Sequence, residues 1–235
     1  TDTHVGKEPK DSTGEPTRDE DAFRAVISAI NEAVEQTFPR PQFLFITGDL
    51  TDSWRSDEIR TFKALLEELS PSLRVYMTSG NHDVTFDPEQ RHISSWRRTF
   101  PEATLPQVIS EGQLTLIGYD SQIYNVRRKS EEVDQEAEAQ WKKITRAVRK
   151  AHKAGKRIFL FSHIPAVPNF FRKKVGASWK TGYLEDFKRL IERYDVEASV
   201  TGHFHRDEFY MRGKTLFLNA PPVSLPTAPW WPARA

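Results

Sequence analysis

The chain has 235 residues, 37% of them hydrophobic and 29% charged, which is enough for one sizeable domain and too short for two full ones. The absence of cysteine excludes disulfides and thiolate metal ligands, and a net charge of +1 argues against nucleic acid or an anionic membrane as partner. No apolar run approaches the ~20 residues that span a bilayer and no signal peptide is visible, so we expect a soluble, cytoplasmic protein.

Hydrophobic periodicity predicts alternating helices and strands along the first half of the chain. Residues 5–20 are polar and lack periodicity, which is typical of a mobile loop. Apolar side chains then recur at helical spacing over residues 23–34, and Pro39 ends the helix. The other predicted elements of this half are a buried strand at 43–47, a helix at 59–69, a strand at 73–78 and a short helix at 93–100 that carries Trp96 into the core.

The second half continues the pattern and ends in a hairpin. A strand at 114–119 precedes a helix that has Trp141, Ile144, Val148 and Ala151 on one face and many Lys and Glu on the other, which we interpret as solvated. The remaining predicted elements are a strand at 157–161, an irregular segment at 164–183, a helix at 184–194, a strand at 198–201 and a hairpin of 209–211 with 215–218.

This alternation argues for parallel strands with helices outside, and the hairpin adds antiparallel character. Periodicity therefore predicts an α/β fold with a mixed sheet. We expect one domain over residues 1–219, followed by a tail at 220–235 whose prolines prevent regular structure.

Five polar clusters stand out, most of them after predicted strands, where ligands bind in open α/β folds. In chain order they are Asp2-Thr3-His4, Gly48-Asp49-Leu50-Thr51-Asp52, Gly80-Asn81-His82-Asp83, Ser162-His163-Ile164-Pro165 and Gly202-His203-Phe204-His205. They contain five of the seven histidines in the chain. We interpret the other two, His92 and His152, as solvated helix residues.

Each cluster alone has an ordinary explanation. A Gly-Asn turn before a surface histidine is a common loop, Asp49 could form a helix cap or an Asx turn, and His163 could be a buried core histidine. Asp2 and His4 could be disordered near a terminus. Taken together, the order and residue types of the five clusters resemble the calcineurin-like metallophosphoesterase superfamily. Its signature is Asp-x-His, Gly-Asp, Gly-Asn-His-Asp/Glu, a single His after a strand, and Gly-His-x-His.

The resemblance implies a four-layer α/β/β/α sandwich of two mixed β-sheets, and two divalent metal ions, Mn²⁺, Fe²⁺ or Zn²⁺. In the family pattern the first ion is bound by Asp2, His4 and His205, the second by Asn81, His163 and His203, and Asp49 bridges them. A metal-bridging hydroxide attacks the phosphorus. The resemblance further implies that His82 would stabilise the transition state or protonate the leaving oxygen, and that Asp83 would orient the ring of His82.

The start of the chain departs from the family pattern, because only one residue precedes Asp2. In the superfamily, Asp-x-His follows a buried strand of the central sheet. We therefore expect such a strand upstream of Asp2 in a longer form of the chain, and further strands after the tail.

The leading functional interpretation is a dinuclear metal-dependent phosphodiesterase acting on small molecules, of the cyclic-nucleotide or glycerophosphodiester type. The pattern is closest to the compact branch of the superfamily. A phosphomonoesterase acting on nucleotides or phosphoproteins remains open, since both classes share the metal ligands. A non-catalytic scaffold with the same fold also remains open, although the retention of His82 and of every expected ligand type argues against it.

Substrate recognition is less defined by the sequence. Two basic runs, 127–129 and 172–174, could reach the rim of the site and steer an anionic substrate, or could be solubilising charges. Four aromatic residues could stack on a nucleobase or fill a small cap over the core: Phe170, Phe171, Trp179 and Tyr183.

Overall fold

The computed structural model describes residues 1–7, 19–84, 91–127, 130–167 and 179–223, and in these ranges the predicted helices and strands occur in the predicted order, with one additional strand. The helices are α1 (Asp19–Gln36), α2 (Ser56–Leu66), α3 (Arg91–Thr99), α4 (Glu131–Lys153) and α5 (Thr181–Arg193). The strands are β1 (Phe43–Thr47), β2 (Arg74–Thr78), β3 (Gln107–Glu111), β4 (Leu114–Gly118), β5 (Arg157–Phe161), β6 (Ala198–Thr201), β7 (Glu208–Arg212) and β8 (Thr215–Asn219). Most of the predicted loop at 5–20 and of the irregular segment at 164–183 lies outside the described residues.

The strands form two sheets. β1 and β2 pair in parallel, and the larger sheet has the order β3-β4-β5-β6-β8-β7. In the larger sheet β4, β5, β6 and β8 run parallel, whereas β3 and β7 are antiparallel edge strands. The expected α/β fold with two sheets is therefore confirmed. Over the described residues the larger sheet is mixed and the smaller one is parallel, because its two strands are joined by a helical crossover rather than by a hairpin.

Strand β3 was not predicted from the sequence. Its residues alternate between half-buried and exposed, and Val108 and Ile109 are its only strongly apolar side chains. It is stabilised by antiparallel pairing with β4, in a register that joins Gln107 to Gly118 and Glu111 to Leu114. Tertiary pairing therefore outweighed a weak local pattern.

An aromatic core joins the two sheets. The ring centroids of Phe45 in β1 and Phe161 in β5 lie 4.4 Å apart. Helices α1 and α2 pack together through Phe23 and Phe62, whose rings stack at 5.7 Å. Trp96 is 3% exposed, which confirms that α3 carries it into the core. One continuous cluster of buried apolar side chains thus connects the helices and both sheets.

Helix α4 packs against β4 and β5 and anchors the loop that follows β4. The Ser130 hydroxyl caps the helix by accepting a hydrogen bond from the Val133 amide at 3.2 Å. On the buried face, the side-chain amide of Gln140 accepts from the Asp120 amide at 3.0 Å and donates to the Asp120 carbonyl at 2.9 Å. Neither α4 nor any other helix of the described ranges is long and apolar enough to cross a membrane.

The carboxyl ends of β1, β2, β5 and β6 meet at one edge of the fold. The first residues of the chain run beside the segment that follows β1, since the Asp2 amide donates to the Gly48 carbonyl and the His4 amide to the Asp49 carbonyl, each at 3.0 Å. The Val223 amide donates to the Thr1 carbonyl at 3.1 Å, so the first residues of the predicted tail return to the same edge. Residues 224–235 of that tail lie outside the described residues.

Candidate metal centre

Asp2, His4, Asp49 and His205 form one cluster at this edge. The Oδ1 atom of Asp2 lies 3.3 Å from Nε2 of His205 and 3.9 Å from Nε2 of His4. The other oxygen of Asp2 accepts hydrogen bonds from the Thr1 hydroxyl at 2.6 Å and the His203 amide at 3.1 Å. These bonds fix the carboxylate so that Oδ1 is directed into the cluster.

A second cluster is formed by Asp49, Asn81, His163 and His203. The Nε2 atom of His163 lies 3.1 Å from Oδ2 of Asp49, 3.1 Å from Oδ1 of Asn81 and 3.2 Å from Nδ1 of His203. Nδ1 of His163 lies 2.8 Å from the Thr47 carbonyl, which sets the ring orientation. Two imidazoles, a carboxylate and an amide oxygen therefore converge on one point.

Asp49 belongs to both clusters. Its Oδ1 atom accepts a hydrogen bond from the His82 amide at 2.8 Å, while its Oδ2 atom lies 3.7 Å from Nε2 of His4 and 3.1 Å from Nε2 of His163. One oxygen is thus held by the backbone and the other faces both groups of histidines. This is the arrangement that a bridging carboxylate needs.

The backbone of the two clusters is strained. Of the seven non-glycine residues with positive φ in the described ranges, five are candidate ligands, namely Asp2, His4, Asp49, His203 and His205. Side chains rarely adopt this region, and such conformations persist where the surrounding structure enforces them, often at functional sites. The fold therefore holds these residues in unfavourable backbone conformations that direct their side chains toward common points.

Two glycines of the polar clusters allow the loops to approach each other. A Cβ atom at Gly80 would overlap the backbone nitrogen and the carboxylate of Asp49. A Cβ atom at Gly202 would overlap the Thr1 hydroxyl and the carboxylate of Asp2. The glycines of Gly-Asn-His-Asp and Gly-His-x-His are thus required by close packing between loops.

Burial and charge set the protonation of the candidate ligands. Burial lowers the pKa of His4 and of His203 to about 4, so both rings are neutral at pH 7 and can donate an electron pair. Burial also opposes a charge on His163, but the carboxylates of Asp49 and Asp2 outweigh it and raise the pKa of His163 to about 9. In the metal-free protein the ring of His163 is therefore protonated at pH 7, whereas the rings of His4 and His203 are not.

The donor set fits metal ions. The Nε2 atoms of His4 and His205 face each other at 3.3 Å, and carboxylate oxygens surround them, so several electron-pair donors share one small space. Nδ1 of His4 is buried without a hydrogen bond. Mixed His, Asp and Asn donors suit Mn²⁺, Fe²⁺ or Zn²⁺. All seven predicted ligands lie in the two clusters that share Asp49.

His82 borders the site, but its partner differs from the predicted one. Its Nδ1 atom lies 2.6 Å from the Asp52 carbonyl oxygen and 3.7 Å from Oδ1 of the Asp52 carboxylate. The predicted partner, Asp83, instead accepts hydrogen bonds from the amides of Gly80, Leu50 and Thr51 at 2.9–3.1 Å.

The prediction that Asp83 orients the ring of His82 is therefore corrected. Burial and the nearby Asp49 raise the pKa of Asp83 to about 7, and its amide bonds tie the loop after β1 to the loop after β2. The sequence pattern did not assign a role to Asp52. The feature of the sequence that could have indicated a role for Asp52 is its position three residues after Asp49, inside the same polar cluster.

The predicted rim of the site is only partly described. Residues 128, 129 and 172–174 of the two basic runs, together with Phe170 and Phe171, lie outside the described residues. Trp179 is 2% exposed, and its ring centroid lies 4.7 Å from that of Tyr124, which also contacts Tyr183 at 4.8 Å. Of the two explanations left open for Trp179 and Tyr183, the structure therefore favours core packing over base stacking.

Comparison with known proteins agrees with this geometry. A family model described as calcineurin-like phosphoesterase matches residues 1–207. The human acid sphingomyelinase-like phosphodiesterase 3b is 21% identical over 223 residues, covering 80% of this chain and 48% of that protein. A probable glycerophosphodiester phosphodiesterase, GpdQ, of Arcobacter nitrofigilis is 26% identical over 183 residues, covering 77% of this chain and 63% of that protein.

The fold also has a counterpart among solved structures. A dimetal phosphatase from Danio rerio matches with a TM-score of 0.72 at 14% identity, covering 96% of this chain and 87% of that one. This likeness confirms the expected sandwich architecture. The chain spans 48% and 63% of the lengths of the human and Arcobacter relatives, so each of them contains sequence beyond the matched region.

Proposed function

The chain belongs to the calcineurin-like phosphoesterase family, and from that premise we propose that it is a metal-dependent hydrolase of phosphoester bonds. The observation that carries the proposal is the pair of Asp/His clusters that share Asp49. Sharing a carboxylate places two ions close enough to act on one phosphoryl group, as in two-metal phosphatases and nucleases.

The proposed ligand assignment follows the geometry of the clusters. Asp2, His4 and His205 would hold one ion, Asn81, His163 and His203 the other, and Asp49 both. When bound, such a pair of ions supplies the nucleophile at neutral pH and neutralises charge on the phosphoryl oxygens. The protein holds its donor atoms in place through backbone bonds, such as that between His163 and the Thr47 carbonyl.

His82 is the proposed proton donor to the leaving oxygen. A carbonyl oxygen only accepts hydrogen bonds, so the contact with the Asp52 carbonyl requires that Nδ1 of His82 carries a hydrogen. Nε2 is then the atom that takes up and releases a proton. The side chain of His82 is 36% exposed, so the ring can reach a bound substrate and exchange protons with water.

Small-molecule phosphodiesters, of the cyclic-nucleotide or glycerophosphodiester type, are the proposed substrates. The names of the human and Arcobacter relatives support diester hydrolysis. A phosphomonoesterase would use the same metal ligands, so it is the alternative that must be tested beside the diesterase. The presence of His82 and of a complete ligand set supports an enzyme rather than a scaffold.

The deciding experiment compares hydrolysis of bis(p-nitrophenyl) phosphate and p-nitrophenyl phosphate by the Mn²⁺-loaded protein, with metal-stripped protein as control. We expect turnover that depends on added metal, and a higher kcat/KM for the diester. A higher kcat/KM for the monoester would overturn the substrate class but not the enzyme. No turnover on either ester, by a folded protein that binds two ions per chain, would overturn the proposed activity.

A further inference from the structure

A groove lies between α4 and the β3–β4 hairpin, with a volume of about 420 Å³. It borders Thr115 near the start of β4, whereas the metal ligands follow the carboxyl ends of strands parallel to β4. The groove therefore lies toward the opposite end of the sheet from the metal centre. Apolar side chains form part of its lining: Val108, Ala147, Ala151 and Ala154.

The rest of the lining is basic or carries a hydroxyl group. It consists of Lys143, Arg146, Lys150 and Lys156 together with Ser110 and Thr115, and among the described residues it includes no acidic one. The Nζ atom of Lys156 donates to the Ser110 hydroxyl at 2.6 Å, which holds that cation at the wall of the groove.

The positive charge of the groove is not neutralised locally. Among the ion pairs of the described residues none includes the four basic side chains of the lining, whereas neighbouring cations are paired: Lys142 with Glu138 and Arg157 with Glu197. Residues 139–184 contain no Asp or Glu, although the chain as a whole has a net charge of only +1. The positive charge of this stretch is therefore not balanced by acidic residues within it.

We propose that this groove binds a small organic phosphate, at a site separate from the metal centre. Lys and Arg side chains bind phosphate oxygens through charge-assisted hydrogen bonds, and the hydroxyl groups of Ser110 and Thr115 add donors. The apolar part of the lining accommodates the organic portion of the ligand. The volume falls in the range of small-molecule pockets, which is about 300–1,000 Å³.

The shape and lining favour a small molecule over a polymer or a membrane. As far as the structure describes the lining, it includes no aromatic side chain on which bases could stack, as single-stranded nucleic acid sites have. The apolar face of α4, including Ile144 and Val148, is buried against the sheet and is not available to insert into lipid. The charged face of α4, which was predicted to be solvated, thus forms one wall of the groove.

The test measures binding of 1-naphthyl phosphate to metal-stripped protein by fluorescence anisotropy, so that binding is observed without hydrolysis. We expect saturable binding of one molecule per chain. The double variant Arg146→Glu/Lys150→Glu should weaken it about tenfold or more, since hydrogen bonds to charged groups are lost. The matched control is Lys153→Glu, an exposed residue of α4 outside the lining, which should change the affinity less than about twofold by screened long-range charge alone.

Further arms identify the ligand class and check the fold. 1-Naphthol should bind much more weakly, because it lacks the phosphate. The milder double variant Arg146→Gln/Lys150→Gln should also weaken binding while circular dichroism stays unchanged. The proposal is overturned if the groove variants bind as the wild type does, or if Lys153→Glu weakens binding equally. It is also overturned if a single-stranded oligonucleotide or phosphatidylserine vesicles bind more tightly through the same residues. None of these outcomes depends on turnover at the metal centre.

Discussion

The Nδ1 atom of His4 lies 3.4 Å from Oδ1 of the Asp52 carboxylate, and Nε2 of the same ring faces Asp49. Asp52 therefore contacts two histidines. On one side it contacts His4, a candidate metal ligand, and on the other it contacts His82, the proposed proton donor. A carboxylate behind a ligating histidine fixes the ring orientation and increases its basicity. We therefore expect Asp52 to position both histidines, and to position His82 chiefly through the Asp52 carbonyl oxygen.

Replacing Asp52 by Asn should lower Mn²⁺ affinity and, at saturating Mn²⁺, should lower kcat, each by about 10–100-fold, because both rings lose their carboxylate. The measurements are Mn²⁺ titration and steady-state kinetics, including the pH profile of kcat. Asp57→Asn, an exposed carboxylate on α2, is the matched control. Near-wild-type kcat and Mn²⁺ affinity for Asp52→Asn would show that Asp52 has no positioning role.

Replacing His82 by Ala should lower kcat about 10²–10⁴-fold, the usual contribution of a general acid. Its metal content should stay at the wild-type value, because its Nδ1 atom bonds to the Asp52 carbonyl instead of joining the two clusters. Metal analysis and kinetics check both statements. His152→Ala, at an exposed histidine on α4, serves as the control and should leave both quantities unchanged. An unchanged kcat for His82→Ala would refute the assigned role.

Replacing Asp49 by Asn should reduce the bound metal from two ions per chain to one or fewer, because Asp49 is the only residue common to both ligand clusters. Turnover should fall on the order of 10³-fold or more, since the ions are worth several kcal/mol to the transition state. Metal analysis after dialysis measures the stoichiometry. Asp186→Asn on α5 is the control, and two tightly held ions in Asp49→Asn would contradict the bridging assignment.

Mn²⁺ binding should tighten as the pH rises from 7 to 9. In metal-stripped protein Asp49 and Asp2 raise the pKa of His163 from 6.5 to about 9 against the effect of burial, so its ring must lose a proton before it can ligate. His4 and His203, with pKa values near 4, are already neutral. Calorimetry in buffers of different ionisation enthalpy should therefore detect about one proton released at pH 7 when the site that contains His163 is filled.

The same shift predicts the stability of the metal-stripped protein. A raised histidine pKa stabilises the fold fully below the unfolded value of 6.5, and this contribution is lost as the pH rises through about 9. The midpoint temperature of thermal unfolding should therefore decrease as the pH rises from 6.5 to about 9. A Mn²⁺ affinity and a midpoint that both stay constant from pH 7 to 9 would exclude a charged His163.

Replacing Gly80 by Ala should destabilise the fold by about 1–3 kcal/mol or more and weaken metal binding, because the new methyl group overlaps Asp49. Gly182→Ala is the matched control. Gly182 lies in α5, and a Cβ atom added there would have no other atom within 4 Å. It should be neutral or stabilise the protein by about 0.5–1 kcal/mol. Equal stability of the two variants in urea unfolding would show that the loop contact at Gly80 is not constrained.

Much of the fold was predictable because its strands are short apolar runs and its helices are amphipathic. The run Phe43–Thr47 was predicted with the bounds it has in the structure, and of the predicted core-facing side chains of α4, Ile144, Val148 and Ala151 are buried. β3 was missed because its alternation is weak without its partner β4. The parallel pairing of β1 and β2 was predictable because strands and helices alternate in the first half of the chain.

The sequence by itself determined which residues could bind metal, because the residue types and their order along the chain are a property of the family. Only the tertiary structure decided how these residues pair. Asp83 is next to His82 in the chain, yet its carboxylate binds backbone amides, and the ring of His82 meets Asp52, 30 positions earlier. Neighbours along a turn point in different directions, so the partner of a side chain depends on which loops the sheets bring together.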